Sequence, residues 1–554
     1  MNATPAASRT ATVPSVIEVD LVHSRRGLRS TLAETVGDRT VLARTVAAVE
    51  RCRSVDKPVL MVHSRDATAA RAAFPEFADD RWFVHEYEDI PARERLRRAR
   101  LWGKEGWRGG IGDAYFFCEA GNPRALRDLC HARRWDDFVL VPAEAAFLDP
   151  AQLDTIVAHY LAERQGAPVY LSTAPPGIAA DVVGRGLVEA LSDASASIDR
   201  VYPFQLDSPR SGADENRIYH HFDEAITTAR GRYTVDSADA LARARAIAES
   251  GDEPSSCHEL WARFEASDLL LAGAFPEEIV VELTSDHDGA WTPRGSSDAA
   301  PNPIDPRVWQ AVLEAASSTE ELLVTLGGGY ADPLLDRCLE KRIRELRESG
   351  ALGIHVETCG SHLDENRANA LIAAHPDAIT VDLTATRTEL LPTLRPQTPP
   401  YEARVRGLER LLAARDRVDG PCPFVMVSVL FEESGADGLD AFMDRWFGPT
   451  DRVLIRGIEG AQGEEVDGSL GCFAPPARFA CHRIERQLRV EHDGTVPLCS
   501  RDPGAAFPVG DLRDASVASV WRCDRFGHAR QCHRSDAWAE LPHCDDCRSW
   551  FRFD

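Results

Sequence analysis

CHRIERQLRVEHDGTVPLCSRD, residues 481–502, holds two cysteines, Cys481 and Cys499, that frame the most informative stretch of this 554-residue chain. Between them, LRVEHDGTVPLC reads as two short strands joined by a His-Asp-Gly turn, a strong local hairpin signal. Such a hairpin would carry both thiols to one side of a site. The complementary stretch is PHCDDC, 542–547, whose C-x-x-C spacing lets Cys544 and Cys547 converge on one metal with little strain. Four thiolates suit zinc or an iron–sulfur cluster alike, so spacing leaves that choice open.

The other ten cysteines sharpen the contrast. Cys52, Cys118, Cys130, Cys257, Cys338, Cys359 and Cys422 are scattered, whereas Cys472, Cys523 and Cys532 join the four above in the final 83 residues. In a reducing compartment, clustered cysteines bind metal more often than each other. Cys523 and Cys532 are spare ligands or small apolar side chains.

Upstream, FPEEIVVELT (275–284) opens a run of strand-like segments that continues through ELLVTLGGG, LGIHVET, AITVDLT, FVMVSVLF and RVLIRGI. Helical segments separate most of them, which predicts an open or partial (β/α)6 barrel ending near residue 460. The loop after the first strand, SDHDGAWTPRGSSDAAPNPIDPR (285–307), lies where barrel folds place chemistry and is a candidate lid or site. Further upstream, VIEVDLV, TVLARTVAAVERC and PVLMVHS give a strand, a helix and a strand, the grammar of a mainly parallel sheet. That pattern ends near TVDSADALARARAIAES, a helix capped by Asp236 or Ser237. The expected organisation is an α/β multidomain chain: a tail at 1–15, an α/β domain at 16–272, a partial barrel at 273–470 and a cysteine-rich domain at 471–554.

Composition narrows the function. With 88 acidic against 63 basic residues and a net charge of −25, the chain repels a phosphate backbone, so nucleic acid is excluded as the expected partner. The Arg-rich segment Arg93 to Arg100 is interleaved with Glu and apolar residues and reads as a solvated helix face. No apolar run reaches the ~18 residues of a membrane helix, and the first 15 residues lack a signal-peptide core; the expectation is a cytoplasmic protein without membrane partners.

The tail resembles the SPASM domain found at the C-terminus of many radical S-adenosylmethionine (SAM) enzymes. The shared points are the C-x(9–15)-G-x4-C opening, the Gly510-Asp511-Leu512 step, the Ser516 to Trp521 helix and the closing C-x-x-C. The resemblance implies one auxiliary [4Fe–4S] cluster on Cys481, Cys499, Cys544 and Cys547. Residues 275–460 are similar in layout to a radical SAM domain. VTLGGGYADPLLD is similar to its glycine-rich strand end, and VETCGSHLDEN to the turn after the next strand. The resemblance thus implies a SAM-like pocket around Gly328, Gly329, Asp332, Thr358 and Gly360. One departure matters for mechanism: the family's C-x3-C-x2-C would begin near 287, where this chain has His287, Trp291 and Arg294, and no such triplet occurs anywhere. Without those thiolates the barrel is expected not to cleave SAM, and SAM binding stays open.

The first domain resembles nucleotide-sugar cytidylyltransferases, a doubly wound, GT-A or Rossmann-like nucleotidyltransferase fold. Arg25 and Arg26 stand in the triphosphate loop of that resemblance, or are plain surface charges, and Asp236 matches a Mg²⁺ carboxylate. Pro142, Ala143 and Glu144 fall where the first metal carboxylate would be, leaving Asp236 as half a Mg²⁺ site. The domain order is similar to the spiro-SPASM proteins. It implies an iron–sulfur protein that serves as an electron-transfer or substrate-binding scaffold for a redox partner or partner enzyme. The alternatives are a nucleotide-sugar enzyme with an accessory iron–sulfur region, and a radical SAM enzyme with atypical ligands such as His287.

Overall fold

Two seven-stranded sheets organise the chain in a computed structural model that describes residues 12–89, 91–102, 121–172, 174–194, 219–227, 233–251, 253–267, 270, 272–286, 302–328, 331–391, 399–418, 420, 423–431, 438–457, 478–502, 505–541, 544–547 and 550. The described residues divide into two compact units. The first ends at Ala266; the second holds everything from Ser267 onward together with 94–102. The cysteine-rich tail therefore shares one unit with the second sheet.

The first unit carries β1 (Ser15–Val19), the hairpin β2 (Thr35–Val36) and β3 (Arg39–Thr40), β4 (Val59–His63), β5 (Trp82–His85), β6 (Asp137–Val141), β7 (Val169–Ser172), β8 (Asp181–Gly184) and β9 (Tyr219–His220). Its sheet runs β5-β4-β1-β6-β8-β7-β9. Side chains alternate between two cores, Ile17, Val62 and Val139 on one face and Val16, Met61 and Phe138 on the other, so these strands must be covered on both sides. β1 pairs in parallel with both β4 and β6, β4 with β5 and β7 with β9, so the sheet is mainly parallel as expected, with β8 alone running antiparallel to its neighbours β6 and β7. Strand order reverses between β1 and β6. In open α/β sheets that reversal opens a crevice at the strands' C-terminal ends. Ser237 caps the helix Ala238–Glu249 by accepting from Ala240 N at 3.1 Å.

In the second unit, β10 (Glu278–Val281), β11 (Leu323–Leu326), β12 (Gly353–Thr358), β13 (Ala378–Thr384), β14 (Phe424–Phe431) and β15 (Arg452–Gly457) pair side by side in chain order, all parallel. Six strands were expected; the sheet has seven. The seventh is β16 (Gln487–Val490), from the tail, parallel to β10. No ladder joins β15 to β16 among the described residues, so the sheet is open.

The position of β16 corrects the predicted hairpin. The turn exists: Glu491 N donates to Thr495 O and Gly494 N to Glu491 O, each at 2.9 Å, with Gly494 in the left-handed region at φ 98°. The strands beyond it part company. β17 (Thr495–Pro497) pairs with β18 (Pro508–Asp511) instead. The reason lies in β16 itself: Leu488, Arg489 and Val490 are buried on both faces, as an interior parallel strand requires and a hairpin with one wet face does not.

A buried polar thread crosses the sheet. Gln487 Nε2 donates to Glu278 Oε2, Thr325 Oγ1 donates to Glu278 Oε1, and His355 meets Thr325 Oγ1 at 3.3 Å and Thr380 Oγ1 at 2.8 Å. Five strands, β16 through β13, are thereby locked in register, because a slip of one residue would bury each of these groups unpaired. The Trp102 ring packs edge-on to His355 at 5.9 Å between centroids. The helix Pro91–Arg100 leads into Trp102, and its Arg95 and Arg98 pair with Asp451 and Asp377. That segment is thus a docked part of the second unit and not simply a solvated face.

Candidate metal centre

Cys481 closes the stretch before the short helix His482–Arg486, Cys499 follows β17, and Cys544 and Cys547 lie on the loop after the turn Trp538–Glu540. Three separate segments deliver the four thiols to one cavity, which they line together with Arg478, Arg483, Arg501, His533 and Trp550. Backbone contacts hold each segment. Cys481 N donates to His533 Nδ1 at 3.2 Å, Cys544 N to Leu541 O at 3.2 Å, and Asp502 N to Cys499 O at 3.2 Å. Arg478 donates to the carbonyls of Cys544 and Asp545, the latter at 3.0 Å, and stacks over Trp538.

The electrostatics favour a ligand that brings positive charge. Burial raises the thiol pKa of Cys499 to about 12, and the charge of Cys481 pushes in the same direction. Cys544 and Cys481 are also raised, first by burial. Such thiols keep their protons at neutral pH unless a metal displaces them. The chain opposes this in part: Arg483 lowers Cys481 and Cys499, and Arg501 N–H points at Cys499 Sγ at 3.3 Å. A thiol-lined cavity edged by guanidinium groups fits a thiolate-bound, net-negative cluster of the [4Fe–4S] type. Cys523 and Cys532 are not among the cavity's lining residues; Cys523 Sγ faces Val509 O at 3.6 Å. Cys472 lies outside the described residues.

The glycine-rich turn of the second sheet is arranged differently. Asp332 is fully buried and accepts from Leu334 N and Thr358 Oγ1 at 2.9 Å and from Cys359 N at 2.8 Å. Gly360 N in turn donates to Thr358 Oγ1 at 2.9 Å. Gly328 adopts φ 93°, and a side chain there would meet Val280 at 2.5 Å, while its carbonyl accepts from Arg489. The structure therefore joins Asp332, Thr358 and Gly360 in one internal knot and ties Gly328 to β16. Gly329, His287 and most of the 285–307 loop lie outside the described residues.

In the first unit, Arg25 follows β1 and Glu144 follows β6, at the strand-order reversal, and Arg25 N donates to Glu144 Oε1 at 3.0 Å. Val235 N donates to Glu144 O at 2.9 Å, which sets Asp236 beside it. Burial, then the Asp236 charge, raises Glu144 to about 7. Arg26 is buried at 2% exposure and is not a surface charge. Sequence reasoning missed Glu144; its one signal was a carboxylate two residues beyond the Pro142 at the expected metal position.

Residues 292–432 match the radical SAM superfamily and residues 481–548 the SPASM iron–sulfur cluster-binding domain. An uncharacterized protein of Treponema pallidum (strain Nichols) is 20% identical over 253 residues, 44% of this chain and 68% of the relative. Among solved structures, BtrN in complex with AdoMet and 2-DOIA aligns with 16% identity and a TM-score of 0.34, over 50% of this chain and 96% of BtrN. A cytidylyltransferase from Leptospira borgpetersenii serovar Hardjo-bovis aligns with 11% identity and a TM-score of 0.32, over 47% of this chain and 97% of that one. Among the described residues no helix is long and apolar enough to cross a membrane. Both domain matches lie in the second unit, and the four thiols gather in the second of them, so the chain carries a radical SAM-type domain followed by a SPASM iron–sulfur cluster-binding domain.

Proposed function

We propose that Cys481, Cys499, Cys544 and Cys547 hold one [4Fe–4S] cluster, and that the protein is a non-cleaving member of its family: an electron-transfer or substrate-binding scaffold for a partner enzyme. The observation that carries this is the convergence of four thiols from three segments on one cavity. When bound, such a cluster supplies a one-electron couple. The chain's part is to position and tune: Arg478, Arg483 and Arg501 offset negative charge, and the Arg501 N–H directed at Cys499 Sγ biases the site toward its more reduced form.

Two features support the absence of SAM cleavage. The chain has no C-x3-C-x2-C anywhere. The acceptors of Asp332 are also taken up by Leu334, Thr358 and Cys359, so they do not wait for a ligand. Iron and sulfide analysis of anaerobically purified protein is expected to give about four irons per chain, the content of one cubane. Zinc without labile sulfide would overturn the cluster. Incubation of reduced protein with SAM is expected to yield no 5′-deoxyadenosine; its appearance would instead establish a radical enzyme with atypical ligands, His287 among the candidates.

A second reading rests on Glu144. A buried carboxylate whose Oε2 has no hydrogen-bond partner among the described residues, beside Asp236 and Arg25 at the strand-order reversal, supports a second carboxylate for Mg²⁺ next to Asp236. This reading makes the first unit a nucleotidyl or nucleotide-sugar enzyme. Calorimetric titration with CTP and Mg²⁺ tests it, and heat of binding lost in Glu144→Gln would favour it.

A further inference from the structure

Apart from the four-thiol cavity, the tail gathers a second set of metal-binding side chains. His528 and Cys532 stand one turn apart on the helix Asp524–Arg534 and so share a face. The turn Trp538–Glu540 brings Glu540 onto that face. Cys532 Sγ lies 3.5 Å from His528 Nε2 and 3.8 Å from Glu540 Oε2, and Nε2 and Oε2 are 4.0 Å apart.

These separations match one particular chemistry. With Zn–S near 2.3 Å and Zn–N or Zn–O near 2.1 Å, a tetrahedral ion separates its sulfur from nitrogen or oxygen by about 3.6 Å, and nitrogen from oxygen by about 3.4 Å. The three donor atoms sit within roughly 0.6 Å of those edges before any ion draws them in. A set of one sulfur, one imidazole nitrogen and one carboxylate oxygen is also what zinc accepts, whereas Mg²⁺ and Ca²⁺ ask for oxygen alone. Cys532 is buried at 3% exposure, while the His528 and Glu540 side chains are 55% and 62% exposed, so an ion reaches the site from solvent and the thiol is shielded.

We propose that His528, Cys532 and Glu540 bind a single Zn²⁺ ion, separate from the cluster, with a remaining coordination position open to water. Its place in the fold assigns it a structural task. The residue after Cys532 is His533, whose ring accepts from Cys481 N, and the residue after Glu540 is Leu541, whose carbonyl accepts from Cys544 N. The ion fastens the helix that positions Cys481 to the loop that delivers Cys544 and Cys547. The ion's presence does not depend on the cluster reading; only its effect on cluster retention does.

The test uses the full-length protein, purified anaerobically with its iron, dialysed against micromolar ZnCl2 and then against metal-free buffer. Zinc and iron are measured on the same sample by mass spectrometry. About one zinc per chain is expected in the unaltered protein, falling to near zero in the His528→Ala/Glu540→Ala variant, whose exposed side chains are removable without emptying a core, while its iron content stays unchanged at the outset. On exposure to a chelator that variant is expected to lose iron several-fold faster. Zinc retained in the variant would overturn the proposal. So would zinc that disappears only in Cys544→Ala/Cys547→Ala, since it would then reside among the four thiols. Loss of iron with zinc intact would instead count against the cluster reading alone.

Discussion

Two places in the second unit, one in the stretch that matches the radical SAM superfamily and one in the stretch that matches the SPASM domain, are built in opposite ways. Around Cys481, Cys499, Cys544 and Cys547 the chain turns four sulfurs toward one cavity, and burial raises the thiol pKa of Cys481, Cys499 and Cys544. Around Asp332, Thr358 and Gly360 the buried carboxylate, the Thr358 hydroxyl and the Gly360 N–H are each answered by a neighbour of the same chain. A binding site keeps its desolvated groups in need of a partner, and a structural knot does not. The contrast teaches that the same unit can hold polar groups whose partners come from the chain itself and thiols that converge on a cavity.

The largest effect should follow from breaking the open site. Cys544→Ala/Cys547→Ala is expected to abolish the iron and sulfide content measured after anaerobic purification, against about four irons in the parent. The fold of the first unit, followed by circular dichroism, should be unaffected. If iron survived at the parental level, the cavity would not be the cluster's home and the comparison would fail. Breaking the closed site should do the reverse. Asp332→Ala strips an acceptor from two buried backbone N–H groups and the Thr358 hydroxyl. At about 1 to 3 kcal/mol per orphaned donor, partly relieved by relaxation, it should cost about 3 kcal/mol in denaturant unfolding. Any intact protein should still carry its iron.

Glu144 lies between these extremes, with one oxygen held by Arg25 N and the other without a partner among the described residues. Its folded pKa of about 7 exceeds the ordinary 4.5. Between those two values the unfolded chain has released this proton and the folded chain retains it, so stability falls as pH rises through the interval. The gap corresponds to at most roughly 3 kcal/mol. In EDTA, Glu144→Gln is therefore expected to stabilise the first unit by about 1 to 3 kcal/mol at pH 8 and to change little near pH 4. If the substitution were neutral at both pH values, Glu144 would be another closed site. If Mg²⁺ with CTP reversed its sign, the nucleotidyl reading would gain its strongest support.

How far the sequence spoke depended on the range of the interaction. Strand positions were legible, because runs such as IVVEL and AITVDLT need burial on both faces wherever they sit. So was the convergence of Cys481, Cys499, Cys544 and Cys547 on one cavity, which their spacings had suggested. What remained hidden was pairing at long range. LRVEHDG does contain a turn, yet whether Leu488 to Val490 fold back on Thr495 or join β10, two hundred residues away, depends on Arg489 finding the Gly328 carbonyl and Gln487 finding Glu278. The knot at Asp332 and the approach of Glu144 to Asp236 were hidden for the same reason: local pattern lists the groups and not the partners that satisfy them.

The smallest effect should come from the rim of the same unit, where a closed site has donors to spare. Asp377 accepts from Ile354 N at 2.8 Å and from Arg347, and Arg98 adds a third partner at 3.3 Å. The Arg98 side chain is 44% exposed and Asp377 1%. Solvent screens such a pair, so Arg98→Ala should cost less than about 1 kcal/mol in denaturant unfolding. Asp377 stays paired without it. Ile354 is the second residue of β12, next to the interior polar thread, so removing the acceptor itself should hurt more: Asp377→Ala leaves the buried Ile354 N–H unanswered, while Arg347 keeps its bonds to the Ala351, Leu352 and His375 carbonyls, and should cost about 1 to 3 kcal/mol. Equal losses in the two variants would mean that Arg98 does more than top up a filled shell. The segment 94–102 would then be a structural requirement of the sheet, and the distinction between filled and waiting sites would need to include it.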